Sequence, residues 1–367
     1  MKKIGILTFH DALNFGAVLQ SYALQTYLSQ QNGYDVRIID YKPSYRKSFA
    51  PQKFTSRNPI KILLSKILEL YYFHSLNTRN HRFIDFSANC QRLTNKKYFT
   101  IKDFENYSSE YDILISGSDQ VFNPKQDSQI YYLGFNVANC VRIAYAPSLG
   151  LSSLSAEAEA MITPWVKQFD ALSCREDDGA NVLSKISGAK VQVVCDPVCL
   201  LTKKDWMKLS VQPKDHNFIF VYDLNGGERL FQLATKLSKQ TGLPIIYSAL
   251  KVIHPYVKNC EIRHDLGPKE WLGYITKASY VVTDSFHGTM LSLMLETPVI
   301  TNIAVKSTSS RITSIMARLG IQEQLIDNIE EFDIERIKFN PYQNILKNFI
   351  SESQEYLISA IQTTRSK

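Results

Sequence analysis

Short apolar segments and helix-like segments alternate along this chain, and that alternation restricts the possible folds more than any other feature of the sequence. The pattern predicts a buried strand over residues 2–9, a helix over 17–30 and a second strand over 34–41. A strand–helix–strand unit of this kind is typical of a parallel sheet. The same pattern predicts further strands before residue 200, over 111–119, 141–150, 169–177 and 189–197.

A second series of strands and helices begins near residue 217. Strands are predicted over 217–224, 243–250, 279–285 and 298–302, and helices over 226–242, 267–278 and 287–296. We therefore expect an α/β protein with two Rossmann-like domains that face each other across a cleft. The predicted domains cover residues 1–205 and 211–340, and closing helices are expected over 341–367. Ligands of such sheets bind beyond the carboxyl ends of the strands, where the polar loops of this chain lie.

Positive charge is concentrated in one part of the chain. The net charge is +7, and the stretch from residue 42 to residue 66 holds seven cations and no acid: Lys42, Arg46, Lys47, Lys53, Arg57, Lys61 and Lys66. The remainder is nearly balanced, which argues against a nucleic-acid partner, whose basic residues would cover a broad face. No apolar run reaches the roughly 18 residues of a membrane span, and no secretory signal is visible. The six cysteines are scattered without a CxxC pair. We therefore expect a cytoplasmic protein with reduced thiols and no metal site.

The same region contains a basic amphipathic segment, an insert over about residues 42–75. Its apolar residues recur at helical spacing, with Lys61 and Lys66 off the apolar face: Ile60, Leu63, Leu64, Ile67, Leu68 and Tyr71. A helix of this kind can lie on an anionic membrane surface. It can also be a core helix of the first domain, with its apolar face turned inward.

The segment "TDSFHGTML", residues 283–291, joins a predicted strand to a predicted helix. The strand should end near Thr283 and the helix should begin between Ser285 and Gly288, which places His287 at a helix N-terminus. Free backbone N–H groups at such a position suit a phosphate or a carboxylate. Gly288 would let the backbone approach a ligand, and Thr289 adds a hydroxyl. The alternative is a capped turn, in which Asp284 or Ser285 caps the helix and His287 is incidental.

Other predicted strand ends carry comparable polar groups. One strand ends in Gly117, Ser118, Asp119 and Gln120, and another ends in Arg175, whose guanidinium could bind a phosphate or carboxylate through two N–H groups. A surface turn and a salt bridge are the respective alternatives.

Two more groups complete the candidate site. His10, Asp11, Asn14 and Gly16 precede or open a helix of the first domain, where they would face the second domain across the cleft. Arg311 opens a helix after the strand 298–302 and is either a second cation near His287 or a surface residue.

Several blocks of this sequence, taken in order, resemble the polysaccharide pyruvyl transferase family. They are "GILTFHDALNFGAVLQSYALQTYL", "YDILISGSDQVFNP", "YAPSLG", "SCREDDG" and "VVTDSFHGTMLSLMLETPVI". The resemblance implies a fold like the GT-B glycosyltransferases, with the acceptor on the N-terminal domain and the donor on the C-terminal one. It also implies that the pyruvyl group of phosphoenolpyruvate is added to two hydroxyls of a sugar as a cyclic ketal, while phosphate leaves. The acceptor would be a precursor of a capsule or exopolysaccharide, expected to be lipid-linked and met at the inner face of the cytoplasmic membrane.

In terms of that family, His287 matches an active-site histidine and Arg175 matches an arginine after a strand. We hypothesise that His287 is the general acid or phosphate partner, that Arg175 clamps the anion, and that Asp119 or Asp11 is the hydroxyl-side base. No cofactor or metal is expected beyond phosphoenolpyruvate as co-substrate. The expected substrate-binding residues are Asn14, Gly16, His10, Asp11, Gly117, Ser118, Gln120, Ser285, Gly288, Thr289 and Arg311.

The sequence departs from the family pattern at Ser285, where some members carry an arginine. The missing charge would have to come from Arg175, Arg311, Lys251 or Lys306. Two alternatives therefore stay open. One is a glycosyltransferase that uses a nucleotide sugar, with His10 or Asp11 as its base, and the other is a non-catalytic member that binds a glycan.

Overall fold

The computed structural model describes residues 1–43, 58–104, 110–124, 128–135, 140–225, 227–250, 256–303, 310–337, 339 and 341–362. Two parallel sheets form its framework, and helices cover them. This confirms the predicted α/β fold with two Rossmann-like domains. Among the described helices, none combines the length and the apolar content needed to cross a bilayer.

The first sheet contains seven strands in the order β3-β2-β1-β4-β5-β6-β7. Their bounds are β1 Lys2–Leu7, β2 Tyr34–Tyr41, β3 Leu93–Tyr98, β4 Ile113–Ser116, β5 Val141–Ala144, β6 Ala171–Cys174 and β7 Gln192–Val193. Ile4 of β1 is in register with Val36 on one side and with Ile113 on the other. Its central strands are buried on both faces, which explains why they are continuous apolar runs.

The second sheet contains six strands in the order β10-β9-β8-β11-β12-β13. Their bounds are β8 Ile219–Asp223, β9 Ile245–Ala249, β10 Glu261–Ile262, β11 Tyr280–Thr283, β12 Val299–Asn302 and β13 Leu325–Ile326. In each sheet the strand order reverses next to the first strand of the series, between β1 and β4 and between β8 and β11. Crevices form at such switch points, at the carboxyl ends of the strands.

Twelve α-helices occur within the described residues. They are α1 Phe15–Ser29, α2 Pro59–Tyr71, α3 Phe73–Cys90, α4 Ser128–Tyr131, α5 Ala156–Val166, α6 Asp177–Ser187, α7 Lys203–Leu209, α8 Glu228–Thr241, α9 Pro268–Lys277, α10 Phe286–Met294, α11 Ser310–Leu319 and α12 Gln343–Gln362. Local chemistry fixes several of their ends. Asn14 caps α1 by accepting from the N–H of Ala17, and α8 is followed by its C-cap Gly242, whose φ of 72° is left-handed.

The two lobes share part of one apolar core behind the cleft. Phe15 of α1 stacks on Trp271 of α9, with ring centroids 5.0 Å apart. The C-terminal helix α12 packs against the first lobe, where Ser353 accepts a hydrogen bond from the Cys195 N–H at 2.9 Å. The strands of the two sheets fall within residues 2–193 and 219–326, and α7 lies between them. The predicted boundaries of the domains, 1–205, 211–340 and 341–367, stay a prediction.

Helix α2 does not behave as a core helix. Of the predicted apolar face, Ile60, Leu63, Ile67 and Tyr71 expose 75%, 62%, 55% and 78% of their surface. The core-helix alternative is therefore wrong for these residues. The rest of the basic stretch, residues 44–57, lies outside the described residues, as do the side chains of Lys61, Leu64 and Leu68.

Candidate active site

A cavity of about 160 Å³ lies where the strand ends of the two sheets face each other. The N-terminal lobe lines it with Asn14, Asp119 and Gln120, and the C-terminal lobe lines it with Leu224, Asn225, Asp284, Ser285, Phe286, His287, Asn302, Ile303, Arg311 and Ile312. Most of these side chains are polar, and six of them were predicted from the sequence: Asn14, Asp119, Gln120, Ser285, His287 and Arg311. The cleft therefore brings part of the predicted set together.

The turn that carries His287 has the predicted shape. Strand β11 ends at Thr283 and α10 begins at Phe286, with Ser285 as the cap that accepts from the Gly288 N–H at 3.2 Å. Gly288 and Thr289 do not line the cavity. A Cβ on Gly288 would lie 2.8 Å from Thr283 Oγ1, so this glycine permits close packing within the turn. Thr289 is buried and hydrogen-bonds the carbonyl of Ser285.

Beside the cavity, His287 belongs to a buried charged network with Arg175 and Asp196. The Oδ2 atom of Asp196 lies 2.5 Å from Arg175 Nη1 and 3.3 Å from His287 Nε2. Burial alone would raise the pKa of Asp196, but His287 and Arg175 outweigh it and hold that pKa well below its usual value. Asp196 was missed in the sequence analysis. Its only local signal is a carboxylate directly after the mostly apolar run "VQVVC", within the strand predicted over 189–197.

Two arginines with unfilled N–H groups lie close to this network. Nε and Nη2 of Arg175 and Nε of Arg311 are buried without a hydrogen-bond partner among the described residues. Burial, and after it the positive charge of Arg175, lowers the pKa of the Arg311 guanidinium. Arg311 lines the cavity, whereas Arg175 lies behind Phe286, whose ring is 4.4 Å from its Cζ.

The loop after β4 supports the network from the other side. Ser118 is buried and donates to Asp196 Oδ2 at 2.9 Å, so it does not reach the cavity. A Cβ on Gly117 would lie 2.8 Å from Thr8 Cβ, so this glycine serves packing. Asp119 faces the cavity, with Oδ1 3.8 Å from Arg175 Nη2. With its amide oxygen turned toward Arg311, Gln120 accepts from that guanidinium at 3.0 and 3.3 Å.

The residues at the start of α1 separate into two groups. Asn14 lines the cavity, and Gly16 lies directly against the His287 ring, because a Cβ on Gly16 would be 2.1 Å from His287 Nδ1. His10 and Asp11 are buried and do not line the cavity; His10 Nε2 lies 3.1 Å from Asp40 Oδ1. The structure thus separates these two residues from the other predicted site residues.

The opposite end of the cavity is acidic. Asp284 accepts hydrogen bonds from the N–H groups of Leu224 and Asn225 and from the Asn225 amide, at 2.8, 3.1 and 2.7 Å. It therefore does not cap α10, which corrects one of the two caps considered from the sequence. Burial, with the nearby charge of Asp223, raises the pKa of the Asp284 carboxyl.

Within the described residues, no group of three or more metal-binding side chains occurs. The expectation of a site without metal or cofactor stays a prediction. Lys251 and Lys306, two of the cations considered as replacements for the arginine missing at position 285, lie outside the described residues. Arg311 is the candidate among them that lines the cavity.

Comparison with known proteins gives one family and one fold. The model of a family described as polysaccharide pyruvyl transferase matches residues 14–307, which include all of the cavity-lining residues except Arg311 and Ile312. No curated protein sequence matches the chain.

Solved structures similar to this one share its two-lobed fold. A UDP-GlcNAc 2-epimerase from Methanocaldococcus jannaschii has a TM-score of 0.54 and 14% identity, over 98% of this chain and 100% of its own. A putative UDP-N-acetylglucosamine 2-epimerase from Listeria monocytogenes has a TM-score of 0.50 and 10% identity, over 97% of this chain and 88% of its own. The wall teichoic acid polymerase TagF has a TM-score of 0.50 and 12% identity, over 98% of this chain and 87% of its own. At sequence identities this low, the similarity shows the fold alone. That fold agrees with the expected GT-B-like architecture.

Proposed function

The chain belongs to the polysaccharide pyruvyl transferase family, and from that membership we propose that it transfers the pyruvyl group of phosphoenolpyruvate to a sugar as a cyclic ketal. The sugar would be part of a cell-surface polysaccharide precursor. The donor carries a carboxylate and a phosphate on three carbons, so its site needs several cationic N–H donors within a small volume.

The observation that carries this proposal is the pair Arg175 and Arg311 beside His287. Three N–H groups of the two guanidinium groups are buried and find no acceptor within the part of the chain that the structure describes, and each unfilled buried donor costs about 1–3 kcal/mol. An anion in the cavity would lie against Arg311 and would offset the repulsion between the two charges, while Arg175 would act on it from behind Phe286. Arg311 in the cavity wall would also supply the charge that Ser285 does not provide.

In the proposed reaction, a proton passes from His287 to the methylene carbon of the donor, which becomes a methyl group. The neighbouring carbon gains oxocarbenium character, and one sugar hydroxyl adds to it and loses its proton. The C–O bond to phosphate then breaks, the second hydroxyl adds, and its proton leaves. Of the two hydroxyl protons, one replaces the proton given by His287 and the other leaves with phosphate. Arg311 and Arg175 would stabilise the charge on the carboxylate and on the leaving phosphate.

Asp119 is the better supported hydroxyl-side base. It lines the cavity, whereas Asp11 is buried away from it. Asp284 is a second carboxylate in the cavity wall and would bind an acceptor hydroxyl there, a role that was not predicted from the sequence. The nucleotide-sugar alternative placed its base at His10 or Asp11, and since neither lines the cavity, that alternative has less support.

The exposed apolar face of α2 supports a lipid-linked acceptor. This helix follows a stretch rich in lysine and arginine, and an exposed apolar face beside basic residues suits an anionic membrane surface. We propose that the enzyme meets its acceptor there, at the inner face of the cytoplasmic membrane. The variant Leu63→Ser/Ile67→Ser should no longer float with vesicles that contain anionic lipid.

That variant should also lose activity on a lipid-linked acceptor and keep it on a water-soluble one. The matched control is Ile345→Ser, which alters an exposed apolar residue on α12. Equal losses on both acceptors would contradict the membrane role.

The proposed reaction itself is tested by product analysis. The purified protein is incubated with phosphoenolpyruvate and a panel of galactose-, mannose- and glucosamine-type acceptors, both free and lipid-linked. We expect inorganic phosphate and an acceptor heavier by one pyruvyl ketal. His287→Ala should lower turnover at least about 100-fold, whereas the exposed His216→Ala should not. Release of a nucleoside diphosphate from a nucleotide sugar would instead favour a glycosyltransferase.

A further inference from the structure

We propose that Asn14 binds an anionic oxygen of the donor at the start of α1, so that phosphoenolpyruvate is held by both lobes of the protein. The inference rests on the proposed function and deepens it, because it names the ligand group that one predicted binding residue contacts. The family resemblance implied instead that the donor binds on the C-terminal domain.

The cap of α1 determines which side of the Asn14 amide a ligand can contact. Its Oδ1 atom accepts from the N–H of Ala17 at 3.2 Å, so the amide oxygen is turned toward the first turn of the helix. Because the amide group is planar, Nδ2 lies on the side away from that turn. Its two N–H groups find no acceptor among the residues that the structure describes, and the partly exposed side chain lines the cavity. Asn14 therefore presents hydrogen-bond donors without a negative charge.

Three of the described helices begin at the wall of this cavity. Helix α1 follows its cap Asn14, α10 follows its cap Ser285, and α11 carries Arg311 in its first turn. The N-terminal end of a helix has free N–H groups and a partial positive charge, so this arrangement favours an anion between them. The buried Nε of Arg311, which has no partner within the described part of the chain, is an independent indication of a negatively charged ligand.

The start of α1 also lies directly beside His287. A Cβ on Gly16 would be 2.1 Å from His287 Nδ1, and Gly16 is two residues after Asn14. In the proposed function His287 gives a proton to the methylene carbon of the donor. The carboxylate and the phosphate are both attached to the next carbon, so one of these anionic groups would lie within reach of Asn14.

The two carboxylates in the cavity wall already bind donors of the protein. Asp119 Oδ1 accepts from the N–H of Gln120 at 2.9 Å and lies 3.8 Å from Arg175 Nη2. Asp284 accepts three hydrogen bonds from the loop after β8. These contacts offset part of the negative charge in the wall, whereas the N–H donors of Asn14 stay available to a ligand.

The test uses substitutions that retain the cap of α1. Asn14→Ser and Asn14→Asp both keep a side-chain oxygen suited to a helix N-cap, but neither has the amide N–H groups. The KM for phosphoenolpyruvate should rise at least about tenfold in the serine variant, which loses a hydrogen bond to a charged group. It should rise further in the aspartate variant, which adds repulsion, while the KM for the sugar acceptor changes little. An unchanged KM for phosphoenolpyruvate in both variants, or a rise in the acceptor KM alone, would overturn the inference.

The matched control is Ser155→Asp, which places the same carboxylate at the cap of α5, away from the cavity lining. Both KM values should stay as in the wild type. If neither Asn14 variant folds, a crystal structure of the wild type with phosphoenolpyruvate decides the question. We expect an anionic oxygen within about 3.2 Å of Asn14 Nδ2, and a bound donor without this contact would refute the assignment.

Binding measured without turnover separates this inference from the proposed reaction. Orthophosphate and pyruvate are added separately, and the melting temperature is recorded for the wild type and for Asn14→Asp. Loss of the orthophosphate response in the variant would assign Asn14 to the phosphate, and loss of the pyruvate response would assign it to the carboxylate. A variant that keeps every response of the wild type would contradict the inference, even if the wild type forms the ketal. A protein that forms no ketal but loses one response in Asn14→Asp would refute the reaction and leave the anion contact established.

Discussion

At the scale of single residues, the cavity is surrounded by groups that folding alone does not favour. Arg175 and Arg311 have buried N–H groups without a partner among the residues that the structure describes. Asp119 adopts φ 74° and ψ −171°, a backbone region that is essentially reserved for glycine. Such costs persist where the surrounding structure imposes them, and they are concentrated at functional sites. Their presence around one cavity is an argument for binding that does not depend on family membership.

The strain at Asp119 can be separated from its chemistry by two substitutions. Asp119→Ala and Asp119→Gly both remove the carboxylate, but only glycine accepts this backbone conformation without strain. We expect the glycine variant to be more stable than the alanine variant by about 1–2 kcal/mol, after allowance for the greater freedom of glycine in the unfolded chain. Urea unfolding measures the difference, and both variants should have low turnover. Equal stabilities would show that the backbone is not strained at this position.

Gly16 offers a second prediction for a single residue. A methyl group at this position would overlap His287 Nδ1, so Gly16→Ala should displace the imidazole and lower turnover at least about tenfold. Gly227→Ala is the matched control, because a Cβ there meets nothing within 4 Å. The crystal structure of the Gly16 variant should show a moved His287 ring. An unmoved ring with normal turnover would exclude the close contact.

At the scale of secondary-structure elements, the sequence predicted those helices, strands and turns whose formation is decided by residues close together in the chain. The turn from β11 to α10 and the unit of β1, α1 and β2 occur where periodicity and caps placed them. The two-residue strands β10 and β13 were not predicted, because their pairing is decided by the adjacent strand and not by their own composition. Asp196 was missed for a related reason, since its partners Ser118 and His287 lie 78 and 91 residues away.

Helix α3 shows how one element joins the lobes through charge, and its contribution should depend on pH. Arg82 of α3 donates to Asp265 Oδ2 at 3.0 Å, across the two lobes. Burial would raise the pKa of Asp265, but Arg263 and Arg82 outweigh it and lower that pKa. A lowered folded-state pKa stabilises the fold above the ordinary value of about 3.9, and this contribution is lost as the pH falls through the folded-state value.

Asp265→Asn should therefore cost up to about 1 kcal/mol at pH 7, as expected of a partly exposed pair, and progressively less below about pH 4. Urea unfolding across this pH range measures the difference from the wild type. Asp35→Asn alters a pair within the first lobe and serves as the control. A loss at Asp265 that does not change with pH would assign it to packing and not to charge.

At the scale of the whole molecule, the two lobes are held in a defined relation around the cavity. Phe15 and Trp271 join them behind it, and α11 is docked onto α6 in front, where Asp177 accepts from Ser314 and from Arg318 Nη2. This docking fixes the helix that presents Arg311, two turns before Arg318 on α11. The position of Arg311 in the cavity wall therefore depends on the packing of the two lobes against each other.

Arg311 should consequently favour the binding of an anion and lower the stability of the ligand-free protein. Burial and Arg175 disfavour its charge in the empty site, so Arg311→Met should leave the ligand-free protein equally stable or more stable, by about 1–3 kcal/mol. Inorganic phosphate should raise the melting temperature of the wild type, because a ligand at 100 times its Kd adds about 2.7 kcal/mol, and the variant should lose this response.

Arg318→Met, on the same helix, gives the opposite pattern if Arg311 binds the anion. It removes a favourable pair with Asp177 and a contact with the Phe349 ring, so it should destabilise the ligand-free protein. Its response to phosphate should nevertheless remain. A phosphate response that survives in Arg311→Met would place the anion elsewhere and would remove the main physical support for a phosphate-bearing donor in this cavity.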